Sequence, residues 1–226
     1  MKILIVTATD AEVAPTVAAL QYVCDRRPRV KAYTRDGHEV DVLTTGVGMV
    51  ATAVWLATTL AAREYDLVLN LGACGAFDRS LPPGTVVHVV TDRLAELGAE
   101  DGDAFLSIHD LQLLCDNEFP FTDGALVNHA PPEHEVLRAL PAVHGITVNT
   151  VHGSDATIAR VMSRLSPDVE TMEGAAFMYA CLVAGVAFAQ VRAVSNAVER
   201  RNRAAWKMPD AIAALNAVAL EALDRV

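Results

Sequence analysis

Largely apolar runs recur along this chain, and each is closed by glycine or a polar residue. They cover residues 3–6, 40–44, 67–71, 86–90, 146–151 and 186–194. Short runs of this kind, without strict alternation, predict strands buried on both faces. Helical spacing lies between them. It starts near Glu12 and continues through Val17, Leu20 and Val23, with Pro15 expected in the first turn, where its missing N–H costs nothing. Further helices are predicted over 51–63, 174–184 and 210–223. Residues 95–135 are rich in turn formers and acidic groups, which predicts a long loop region with a short helix at 111–115.

Strand and helix thus alternate. The pattern predicts an α/β fold with a mostly parallel central sheet and helices on both sides, as a single domain over 1–226. Ligands of such sheets bind beyond the carboxyl ends of the strands. The residues just after the apolar runs are therefore the candidates: Asp10 and Glu12, Gly46 and Gly48, Gly72 to Gly75, Ser154 and Asp155, Met172 and Glu173, and Ser195 and Asn196.

Composition narrows the partners. Of 226 residues, 52% are hydrophobic and only 5% aromatic, so aliphatic side chains must fill the core. Enough apolar residues remain to leave surface for a homo-oligomer interface. The net charge of −10 argues against nucleic acid, which needs a basic face. The one basic cluster, Arg200, Arg201 and Arg203, is too small for such a footprint. Cys24, Cys74, Cys115 and Cys181 form no C-x-x-C pair and read as reduced thiols of a cytoplasmic protein. The first apolar run is too short for a signal segment, and no stretch reaches membrane-spanning length. His129, His134 and His152 show no ligand spacing, so no metal is expected.

Several candidates carry two readings. Glu12 is either a general base or a first-turn carboxylate complementing a helix dipole. Glu173, among small and apolar neighbours, is either a group that accepts from a ribose diol or a carboxylate at a helix start. Asn196 either offers a donor and an acceptor to a purine edge or sits in a turn. Gly72-Ala73-Cys74-Gly75 lets the backbone approach a ligand, but lacks the G-x-G-x-x-G spacing of a dinucleotide site.

Six segments in order resemble the nucleoside phosphorylase and nucleosidase superfamily over nearly the whole chain. They are residues 2–13, 45–51, 69–75, 153–155, 172–176 and 191–196. The resemblance implies that Glu12 activates the attacking water and that Glu173 holds the ribose hydroxyls with Met172 beside the sugar. It implies that Arg192 organises water and carboxylates, that Asn196 faces the purine N7 and 6-position, and that Thr157 and Ile158 line the base pocket. Gly48, Ala73, Cys74, Gly75 and Thr171 complete the expected substrate-binding set, and no cofactor is implied.

Within the superfamily, phosphorylases of this length resemble the chain less, because they carry a phosphate-binding Arg where this chain has Leu69-Asn70-Leu71. Loss of that clamp favours water as acceptor. Methylthioadenosine and S-adenosylhomocysteine nucleosidases place Asp at Asn196, Glu at Thr171 and Ser at Ala73. Residues 195–203 with Trp206 and Pro209 resemble the futalosine hydrolases, which release a 6-oxopurine. The expected activity is hydrolysis of a hypoxanthine nucleoside. The rivals are another purine nucleosidase, a phosphorylase, or a nucleoside-binding protein on the same fold.

Overall fold

A computed structural model describes residues 1–102 and 104–226. The first strand, β1 (Lys2–Thr7), is buried over five of its six residues, as its unbroken apolar run requires. It pairs in parallel with β4 (His38–Thr44) on one side and β5 (Leu67–Ala76) on the other. Between β1 and β4 lie α1 (Asp10–Ala18) and the hairpin of β2 (Gln21–Arg27) and β3 (Val30–Arg35). Helix α1 therefore stops before Leu20 and Val23, and Pro15 sits inside it rather than in its first turn. Strand β2 is an edge strand exposed along almost its whole length, so it has no apolar pattern to announce it.

After β5 come β6 (Val86–Leu94), the small hairpin β7 (Gly98–Asp101) and β8 (Ala104–Ser107), and the short strands β9 (Phe121–Thr122) and β10 (Ala125–Val127). The stretch expected as loop is thus partly paired. Residues 111–115 form turns instead of a helix. Next are α3 (Glu135–Ala139), β11 (Ala142–Thr147), α4 (Asp155–Leu165), β12 (Val169–Thr171), α5 (Gly174–Ala184), β13 (Phe188–Ala197) and α6 (Met208–Asp224); α2 (Met49–Ala62) follows β4.

The sheet is mixed, which corrects the expectation of a mostly parallel one. Strand β5 runs parallel to β1 and β13 but antiparallel to β12, and β13 runs antiparallel to β6. Strands β5, β13, β6, β11 and β12 close a ring of pairings, since β6 pairs with β11 and β11 with β12. Closure explains why β5 runs on through Gly72–Ala76 and β13 to Ala197: apart from Ser195, where the register shifts, these residues still have ladder partners. Helices lie on both sides, as expected. Val13 of α1 and Leu215 of α6 pack with Ile5, Leu69 and Val191, while Leu56 of α2 and Phe177 of α5 pack with Leu4, Val68 and Phe188. No helix among the described residues is long and apolar enough to cross a membrane.

Candidate active site

At the ends of β1, β5, β12 and β13 lies a cavity of about 390 Å³. Its lining includes Glu12, Ala73, Cys74, Gly75, Met172, Glu173 and Asn196. The size suits a small-molecule ligand.

Glu12 serves two purposes with its two oxygens. Its Oε2 accepts from the Thr9 backbone N–H (3.0 Å), the Thr9 hydroxyl (3.1 Å) and the Thr7 hydroxyl (3.1 Å). The bond to the Thr9 N–H, three residues back, is one half of a capping box at the start of α1. Among the described residues its Oε1 accepts only the Ala73 backbone N–H (3.1 Å), and it keeps acceptor capacity toward the cavity. The cap and the cavity-facing group are therefore the same residue.

Glu173 is the residue before α5, yet it does not cap that helix. The Thr171 and Thr147 hydroxyls accept the Gly174 and Ala175 N–H groups (3.0 and 2.7 Å) instead. This leaves the Glu173 carboxylate, buried at 7% exposure, free to accept from the Gly48 N–H (3.0 Å) across the site. Thr171 is correspondingly spent on the helix.

Arg192 is buried on β13 opposite Gly72 of β5. Its Nη2 donates to Asn70 Oδ1, and its Nη1 lies 4.0 Å from Glu173 Oε2. Asn70, on β5, thus engages the guanidinium. A Cβ on Gly72 would stand 2.2 Å from Arg192 Nη1 and 2.9 Å from Glu12 Oε1, so only glycine leaves the two groups facing each other.

Asn196 turns its amide on β13 so that Oδ1 accepts from the Ser195 hydroxyl (2.8 Å) and Nδ2 donates to the Ala197 carbonyl (2.9 Å). One amide hydrogen and one lone pair remain. Burial pushes the Cys74 thiol up to about 12, so it lines the cavity as a neutral group.

Two expected residues fall elsewhere. Thr157 and Ile158 lie on α4, which turns them away from the cavity: Thr157 lines a separate pocket with Arg160 and Arg164, and Ile158 packs against Phe77, Val148 and Val161. Sequence reasoning missed Glu170, which borders the cavity. Glu170 stands only three residues before Glu173 and could have been flagged as a second carboxylate in an apolar segment.

Two carboxylates, half-buried Glu12 and buried Glu173, near one arginine and beside an amide in a cavity at strand ends are the arrangement of an enzyme that works on nucleosides. The phosphorylase superfamily profile matches residues 2–224, and the chain belongs to that superfamily. It is 35% identical over 216 residues to a futalosine hydrolase of Acidothermus cellulolyticus, covering 94% of this chain and 86% of that one. It is 36% identical over 186 residues to a futalosine hydrolase of Streptomyces coelicolor, covering 77% of this chain and 74% of that one. In fold it resembles the native structure of futalosine hydrolase of Helicobacter pylori, with a TM-score of 0.82, 14% identity, and coverage of 100% of this chain and 98% of that one.

Proposed function

We propose that this chain hydrolyses the N-glycosidic bond of futalosine, releasing hypoxanthine and dehypoxanthine futalosine in menaquinone biosynthesis. The observation that carries this reading is the likeness to two futalosine hydrolases over most of both chains.

The site chemistry supports it. Glycosidic cleavage passes through an oxocarbenium-like state at C1′. The Glu173 carboxylate, set at the sugar, would stabilise that cation and accept from the ribose hydroxyls. Glu12 Oε1, the oxygen with spare capacity, would take the proton of the attacking water. Arg192 would orient water between the carboxylates. Asn196 would donate its remaining amide hydrogen to the departing 6-oxopurine and accept from N7 as it is protonated.

Water rather than phosphate is the acceptor in this reading, because Asn70 is committed to Arg192 and offers no phosphate clamp. Hypoxanthine release from futalosine in phosphate-free buffer tests it. Full turnover with free sugar product is expected. A phosphate requirement, or no release at all, overturns it.

A second copy of this chain belongs to the proposal. The face made by α2 and α5 holds an apolar groove of about 760 Å³, with Val50 and Val183 exposed on it, and Val47 continues that face into the cavity. A monomer by light scattering at micromolar concentration would remove this part. Action in the cytoplasm is proposed on the same footing, supported by four free cysteines.

A further inference from the structure

We propose that Glu170 reads the N1 edge of the purine and selects 6-oxopurines, with His152 holding it in position. The inference rests on the reading of the site as one that cleaves a hypoxanthine nucleoside, and it adds a second contact beside Asn196.

Three strands bring the two side chains to one place. Glu170 of β12 and Asn196 of β13 are both register partners of Gly75 on β5. Strands lie about 4.8 Å apart, so the two residues flank Gly75 at one strand spacing on either side. A Cβ on Gly75 would come 3.4 Å from Asn196 Nδ2, 3.5 Å from Glu170 Cγ and 2.9 Å from Val198 Cγ2. The missing side chain is thus the gap between amide and carboxylate, and Gly75, Glu170 and Asn196 all border the same cavity.

Glu170 is only 4% exposed, and its partners leave it one task undone. The His152 backbone N–H donates to Oε1 (3.1 Å), and His152 Nδ1 lies 2.6 Å from Oε2. His152 is itself fixed edge-on against Phe77, with ring centres 5.8 Å apart. No other side chain among the described residues is bonded to this carboxylate, and it retains acceptor sites.

The chemistry follows from the ring. A 6-oxopurine carries a hydrogen on N1, next to the 6-oxygen that Asn196 would meet. A 6-aminopurine has a bare lone pair there. A buried carboxylate accepts from the first and opposes the second with acceptor against acceptor, which leaves a buried group unpaired. A site built to meet a hydrogen-bonding group rejects the analogue lacking it far more strongly than an apolar site does.

The test is calorimetric binding of hypoxanthine, adenine and 1-methylhypoxanthine to the wild type, Glu170→Gln and His152→Ala. Wild type should prefer hypoxanthine to both others by roughly tenfold or more. Glu170→Gln, which can donate as well as accept, should lower the hypoxanthine-to-adenine ratio by about tenfold, and His152→Ala should lower it less. An unchanged ratio in folded Glu170→Gln overturns the proposal. So does wild-type binding of 1-methylhypoxanthine as tight as that of hypoxanthine, a result that needs no variant to fold. Futalosine turnover by the wild type separates the two levels: without it the functional reading falls, whereas turnover with an unchanged base ratio removes only the role of Glu170.

Discussion

Arg192 and Glu12 face each other across Gly72, whose absent side chain is the space between them. Arg192 arrives from β13 and Glu12 from the first turn of α1, 180 positions apart in the chain. Their juxtaposition joins the cap of a helix to the buried cation of the sheet, and it sets the most direct test of the site.

Gly72→Ala puts a methyl 2.2 Å from Arg192 Nη1. The buried guanidinium cannot yield without leaving Asn70. Overpacking of this kind costs about 1–3 kcal/mol of stability. We expect that loss in urea unfolding, together with a kcat at least roughly tenfold lower, since misplaced groups lose catalytic geometry. A variant with unaltered kcat would mean that the Arg192–Glu12 geometry is not used.

Glu12→Gln separates cap from catalysis. The Gln carbonyl can still accept from Thr7 and Thr9, so α1 keeps its cap, while the Ala73 N–H loses its acceptor and a stability loss of about 1–3 kcal/mol is expected. The remaining amide nitrogen cannot take a proton from water. A fall in kcat on the order of 10²-fold with little change in KM is expected from steady-state kinetics on futalosine. Near wild-type kcat would return Glu12 to the cap alone.

Asn196→Asp tests the base contact. The Asn nitrogen donates to the Ala197 carbonyl at 2.9 Å, and an Asp oxygen there would face that carbonyl unless it held a proton. A mismatched buried group costs roughly 1–3 kcal/mol. The ratio of kcat/KM for futalosine to that for its 6-amino analogue should be high in the wild type and narrow in the variant. A wild type that cleaves the 6-amino analogue equally well would contradict the role of Asn196.

Asp92 makes a prediction about stability. It is fully buried beneath α5, where burial pushes its carboxyl up from 3.8 to about 6 against the hydrogen bonds of Gln190 and Thr147. A raised folded pKa means that the folded state holds the proton more tightly than the unfolded chain. The stabilisation is complete below about 3.8 and is lost as pH rises through about 6. Its size is on the order of 2–3 kcal/mol. Asp92→Asn removes the titration, and its amide can donate to Gln190 Oε1, which has no partner among the described residues. Unfolding free energies measured at pH 5 and pH 8 should therefore differ less in the variant than in the wild type. An equal difference in both would show that Asp92 is not the titrating group.

The sequence by itself determined the buried strands, because continuous apolar runs have no other stable use in a chain of this size. It also determined the helices α2, α5 and α6 and the candidate residues Glu12, Glu173 and Asn196, which follow those runs and line one cavity, whereas Arg192, inside the last run, was marked only by the family resemblance. What it left open were features fixed by distant partners. Strand β2 has no buried face to pattern it. The mixed direction of the sheet depends on how β12 and β13 meet β5 and β6, which no local periodicity encodes. Each carboxylate also had two possible uses that sequence could not separate. Tertiary structure decided them through individual hydrogen bonds: the hydroxyls of Thr147, from β11, and Thr171 accept the first N–H groups of α5 and release Glu173 to Gly48, while the Ala73 N–H draws one oxygen of Glu12 toward the cavity and Thr9 keeps the other on its helix. The Thr9 and Thr171 bonds span three positions, but those of Thr147, Ala73 and Gly48 join residues 28, 61 and 125 positions apart, which packing sets and only the folded chain could assign.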